Sequence, residues 1–173
     1  SYETEGDAMA WWTDMLANDA IITTGWTEAY ETHYTGGYGE YTEGYIGDAW
    51  MTVSYCHSPG VEAFYAENYT HSTSLMLDHS SFHQVEYTGI INGAAQINGA
   101  NLFIDYLLST DVNTNMPENN LMYSVLEGTD LPETNGYRHH ADVPSVVTTM
   151  TYEEIDANMD AWLDAWKAAT QQA

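Results

Sequence analysis

Positive charge is nearly missing from this chain. Arg138 and Lys167 stand against 26 carboxylates, for a formal net charge of −24. With no basic patch to neutralise phosphates, the chain cannot hold nucleic acid or an anionic membrane by charge. Cysteine is down to one residue, Cys56, which excludes an intrachain disulfide and a Cys-x-x-Cys metal knuckle. No apolar run is long enough to span a bilayer, so attachment to a membrane would need an anchor not in this chain. No signal peptide opens the sequence, and any export signal is one removed or lying outside it.

Several motifs are also absent. There is no GxGxxG, no phosphate-binding loop with its lysine, no GxSxG elbow, no HExxH and no Asp-rich calcium loop. Carboxylates are so dense that a glycosidase-like pair cannot be read from spacing. Nothing argues for an enzyme, and the expectation is a binding or assembly protein without a cofactor.

What is present describes a folded chain. The 173 residues are 44% hydrophobic and 13% aromatic, enough for a core. The carboxylates are spread through every segment, which reads as a surface adapted to high salt, as in a halophile. Salt at 1 M confines charge repulsion to a Debye length of about 3 Å. The sequon Asn68-Tyr69-Thr70 favours exposure outside the cell.

Periodicity sets out the elements. Residues 6–18 carry Met9, Trp12 and Leu16 on one helical face, with Trp11 and Met15 beside them. Residues 19–23 read as a buried strand. A Thr-Gly turn follows, then Trp26 and a helix start, with Thr24 or Thr27 as cap and Glu28 in the first turn. Residues 34–47 are rich in Gly and Tyr and read as a surface loop, with 34–45 the candidate self-assembly contact. Residues 50–55 read as a strand ending at Tyr55, and Pro59-Gly60 turns the chain into a helix at 61–69. In residues 71–83, His79 and His83 lie at i and i+4 and are the candidate metal pair. The serines around them favour a polar surface segment instead, and no third ligand is fixed by spacing. Residues 84–91 alternate as a strand, and 96–109 form a helix with Ile97, Ala100, Ile104, Leu107 and Leu108 along one side. Thr151 and Glu154 make a capping box for a last helix that buries Ile155, Met159, Trp162, Leu163 and Trp166.

Three stretches carry a resemblance. GWTEAY at 25–30, VSYCHSP at 53–59 and LMYSV at 121–125 occur in this order with HQVEYTGII at 83–91, FIDYLLS at 103–109 and TYEEIDANMDAWLDAW at 151–166. The ordered set resembles the periplasmic thiamine-binding proteins of ABC importers. That family belongs to the type II periplasmic-binding fold group, which also holds the ferric-binding proteins.

The resemblance implies an α/β fold made of the second lobe plus the C-terminal part of the first, with the family's N-terminal part lacking. Residues 1–83 would be the second lobe. Residues 84–173 would hold the crossover strand and the rest of the first. It implies an extracellular solute-binding protein that takes thiamine, thiamine phosphate or a related cationic ring and delivers it to an ABC permease. Trp26 and Tyr55 match the family's ring-stacking positions, and Ser58 lies in the adjoining turn. Leu121 stands where the family has a stacking Trp, with Tyr123 in the same segment, and Val61 stands at another family Tyr position. Two aromatics at neighbouring strand ends would sandwich a flat cation, each contact worth about 0.5–2 kcal/mol. A structural subunit of a cell-surface assembly is the alternative, and ferric or other metal binding through Tyr55, His71, His79 and His83 is the third.

Overall fold

The computed structural model describes residues 5–35, 46–76, 81–145, 147 and 150–170. Helix α1 (Glu5–Ala17) is followed by a π-helix (Glu28–His33), α2 (Ser58–Tyr65), α3 (Ile97–Leu107), α4 (Thr110–Asn113) and α5 (Met116–Asn119). A 3₁₀ turn (Thr134–Gly136) then leads into α6 (Tyr137–His140) and α7 (Tyr152–Thr170).

The architecture is helical, which corrects the α/β expectation. Residues 20–23, 51–55 and 83–91 are non-helical, but none of them pairs in a ladder. Tyr34 and Ala49 form an isolated parallel bridge. The reason lies in what the strand signal measures. Alternating and β-branched residues describe how side chains suit a pleated surface, whereas a ladder needs a second backbone about 4.8 Å away. Among the described residues these segments meet none, and Val53, Tyr87 and Ile91 are turned to solvent.

Two packing units organise the helices. In the first, α1 packs against α7, so residues from the two ends of the described chain meet. Trp12 meets Trp166 edge to face, with ring centroids 4.9 Å apart and planes at 83°. The C-terminus of α1 is a Schellman turn: Ala20 N–H donates to Met15 O at 3.0 Å and Asp19 N–H to Leu16 O at 3.2 Å. Asp19 takes the left-handed position with φ 65°. At the start of α7, Thr151 Oγ1 accepts from Glu154 N–H at 3.2 Å while Glu154 Oε2 accepts from Thr151 N–H at 2.8 Å. The expected capping box is therefore present.

In the second unit, α2 packs against α6 and the 3₁₀ turn. Pro59 occupies the first turn of α2, where its missing N–H costs nothing. Asn135 Nδ2 donates to Phe64 O at 2.7 Å, and Asp142 N–H donates to Cys56 O at 3.0 Å. The side chains of Ala63 and Tyr137 are fully buried between these elements. Both packing units join residues from either side of position 84.

Helix α3 forms where the periodicity places it. Ala100, Ile104 and Leu107 are half-buried, but Ile97, Leu102, Phe103, Tyr106 and Leu108 are exposed. The accessible surface of the chain is 12409 Å². A compact monomer of this mass would present about 8,500 Å². No helix among the described residues is long and apolar enough to cross a membrane.

Candidate ligand site

Trp26 is set by a local device. Thr24 N–H and Thr24 Oγ1 both donate to Glu28 Oε2, at 3.1 and 2.8 Å, and fold the chain into the turn that starts the π-helix. Those two bonds hold the Glu28 carboxyl below its ordinary range. The π-helix places Tyr30 beneath Trp26, with ring centroids 4.7 Å apart and planes 17° apart. The indole Nε1–H donates to Ser54 Oγ at 2.9 Å, and Ser54 Oγ lies 2.8 Å from Ser58 Oγ. Two segments distant in sequence are thereby tied to the first turn of α2.

The aromatic surface continues from there. Tyr55 lies 6.3 Å from Trp26 with the planes at 54°. His57 follows at 5.4 Å from Tyr55, and Tyr123 at 5.2 Å from His57. On the other side, Tyr34 lies 5.5 Å from Tyr30. Burial pushes the basicity of the His57 ring down, against a smaller opposing influence of the Leu121 backbone. Tyr123 OH donates to the carbonyl of Asp142, and Cys56 Sγ approaches the same hydroxyl at 3.9 Å. Burial raises both the Cys56 thiol and the Tyr123 phenol above their ordinary values.

All five residues singled out from the sequence fall in this one region. Trp26, Tyr55 and Ser58 are linked through Ser54, and Leu121 and Tyr123 flank His57. Trp26 is 41% exposed and Tyr55 47%, so each keeps ring surface for a ligand. The expected sandwich is not what they form. A parallel slot for a flat ring needs two contacts of about 3.5 Å each. A 54° tilt makes a corner instead, in which a ring stacks on one partner and meets the other edgewise.

Several residues of the site carried no recognised signal. Tyr30 lies four residues after Trp26, a spacing that puts both on one helical face. Glu62 is 1% exposed and accepts from the hydroxyls of Tyr30, Thr70 and Ser72. Among so many carboxylates nothing in the sequence sets it apart.

The other candidates lie elsewhere. His79 falls outside the described residues, as does 36–45, the greater part of the Gly/Tyr loop. His83 is exposed, and His71 packs edgewise on Tyr69 at 4.8 Å. Among the described residues, no group of three or more His, Cys, Asp or Glu is placed to hold a metal ion. An open hollow of about 620 Å³ lies beside α4, lined by Thr110, Thr114 and residues 126–130, and includes none of the aromatic residues.

No protein-family model, curated protein or solved structure matches the chain.

Proposed function

We propose that this chain captures a flat cationic ring compound of the thiamine type at the corner of Trp26 and Tyr55, outside the cell, for delivery to an ABC permease. The observation that carries the reading is convergence. Three segments, Trp26, the stretch from Tyr55 to Ser58 and the stretch from Leu121 to Tyr123, meet in one neighbourhood. The ligand class and the permease come from the resemblance in sequence, the aromatic corner supplies the surface for a ring, and the two-lobed α/β cleft is not part of the reading.

The chemistry suits a cation. The exposed ring faces of Trp26 and Tyr55 present negative π density, and a cation over such a face gains about 0.5–2 kcal/mol. The net charge of −24 favours cations over anions close to the surface, within the short screening length that molar salt leaves. Ser54 and Ser58 supply hydroxyls beside the indole for the polar groups of the ligand. Binding alone is needed, and no bond is made or broken.

The test is a titration of thiamine against tryptophan emission in molar salt. Quenching is expected in the native chain and in Trp162→Ala, which alters α7 away from the corner. Trp26→Ala should lose the response. A Trp26→Ala chain that binds thiamine like the native one overturns the assignment.

One observation favours assembly into a cell-surface structure as a second reading. Leu102, Phe103 and Tyr106 of α3 are each more than half exposed. Apolar surface of that kind is commonly covered by a partner. Light scattering in molar salt separates the two: a monomer in the presence of thiamine favours capture, and growing assemblies without it favour the second reading.

A further inference from the structure

Glu62 is the most deeply placed carboxylate in the described structure, at 1% exposure. Burying a carboxylate is unfavourable unless its oxygens are satisfied. Here they are satisfied by hydroxyls. Tyr30 OH and Ser72 Oγ donate to Oε1, the latter at 2.8 Å, and Thr70 Oγ1 donates to Oε2. Ser72 is held in turn by its own N–H, which donates to Thr70 Oγ1 at 2.9 Å, and by Tyr34 OH, which donates to Ser72 Oγ at 3.1 Å. None of the four ion pairs among the described residues includes Glu62. Three hydroxyl donors converging on two oxygens is the arrangement that suits an acceptor-only carboxylate.

The position of this group is informative. Tyr30 is itself buried and lies flat beneath Trp26. Its ring is the floor of the aromatic corner, and its hydroxyl is bonded to Glu62 at the far end. The carboxylate therefore acts on the exposed indole face through one ring. It fixes the angle of that ring, and it places negative charge beside the stack, at the hydroxyl edge of Tyr30, where bulk water screens it little.

We infer that Glu62 is a positioning residue of the Trp26–Tyr55 site, one that seats Tyr30 beneath Trp26 and makes the corner favour cationic over neutral rings. This rests on the proposed function only for the ligand. The seating of Tyr30 can be measured without one. A residue that merely stabilised the fold would weaken all ligands equally, whereas a charge at the edge of the stack discriminates by the charge of the ring.

The experiment has two arms, each using the native chain, Glu62→Gln and Tyr30→Phe in molar salt. Gln keeps the shape and one acceptor oxygen, and Phe keeps the ring but removes the hydroxyl. The first arm follows the Trp26 indole N–H signal by NMR without ligand, assigned by its loss in Trp26→Phe. Tyr30→Phe should move the signal, because the Tyr30 ring current acts on it, and Glu62→Gln should nearly preserve it. An unmoved signal in Tyr30→Phe overturns the positioning claim whether or not any ligand binds. The second arm compares N-methylquinolinium with quinoline, neutral at pH 8. Glu62→Gln should weaken the cation about fivefold and leave the neutral ring unchanged. Equal weakening of both, or of neither, overturns the charge-selecting role while leaving capture at the corner intact. Should the native chain bind neither ring nor thiamine, the proposed function fails and with it the charge-selecting role, and the indole signal still decides whether Glu62 seats Tyr30.

Discussion

Gly60 of α2 lies against Ala141 just past α6: a Cβ on Gly60 would stand 2.6 Å from the Cβ of Ala141 and 2.7 Å from the carbonyl of Tyr137. The two helices touch backbone to backbone, and that approach seats the start of α2, with Ser58 and His57, beside the aromatic corner. Gly60→Ala should therefore force the helices apart and cost about 1–3 kcal/mol. Gly25→Ala is the comparison, since nothing lies within 4 Å of its Cβ position. Its effect should stay within about 0.5 kcal/mol. Urea midpoints at fixed salt give both values, and equal midpoints would mean that α2 and α6 do not pack this way.

The capping box of α7 sets a pH dependence. The Thr151 N–H, and after it the Thr151 hydroxyl, hold the Glu154 carboxyl below its ordinary value of 4.5. A lowered folded value means the contribution is complete above the unfolded value and is lost as pH falls through the folded one. Helicity by circular dichroism should fall across that acidic window in the native chain. Glu154→Gln should start lower and lose the part of the change that belongs to this group. A Glu154→Gln profile that overlays the native one would show that the cap contributes nothing.

These two sites illustrate what was readable in the sequence. The box is local: Thr151 and Glu154 are three residues apart, and the geometry follows from the spacing. The face of α1 and the position of α3 were readable for the same reason. The strands were not, because Val53 and Val85 signal an extended, apolar-patterned segment without naming a neighbour to pair with. Trp26 was readable as exposed from its place at a turn, but the 54° tilt between Trp26 and Tyr55 depends on how Ser54 ties the indole to α2. Glu62 was hidden by composition. Its burial follows from Thr70, Ser72 and Tyr30 closing around it, contacts that span up to 32 residues.

Trp12 and Trp166 test whether α1 and α7 meet in solution. Their edge-to-face contact at 4.9 Å joins helices at opposite ends of the chain. A double-mutant cycle with Trp12→Leu and Trp166→Leu should give a coupling of about 0.5–1.5 kcal/mol beyond the loss of buried area. Additive losses would place the two helices apart.

His57 offers the sharpest test of the corner by pH. It is held between the rings of Tyr55 and Tyr123, and burial lowers its affinity for a proton below the ordinary value of 6.5. The folded chain then binds fewer protons here than the unfolded one, so stability rises with pH through this window. Seen from the other side, the contribution is whole above 6.5, declines as pH falls toward the lower folded value, and is constant beneath it. His57→Gln should remove that slope. The decisive comparison is the difference in urea midpoint between pH 7.5 and pH 5.5 for the two chains. A smaller difference in His57→Gln places a neutral imidazole in the aromatic wall. An equal difference means that His57 is solvated, and Tyr55 then lacks the neighbour that sets its angle to Trp26.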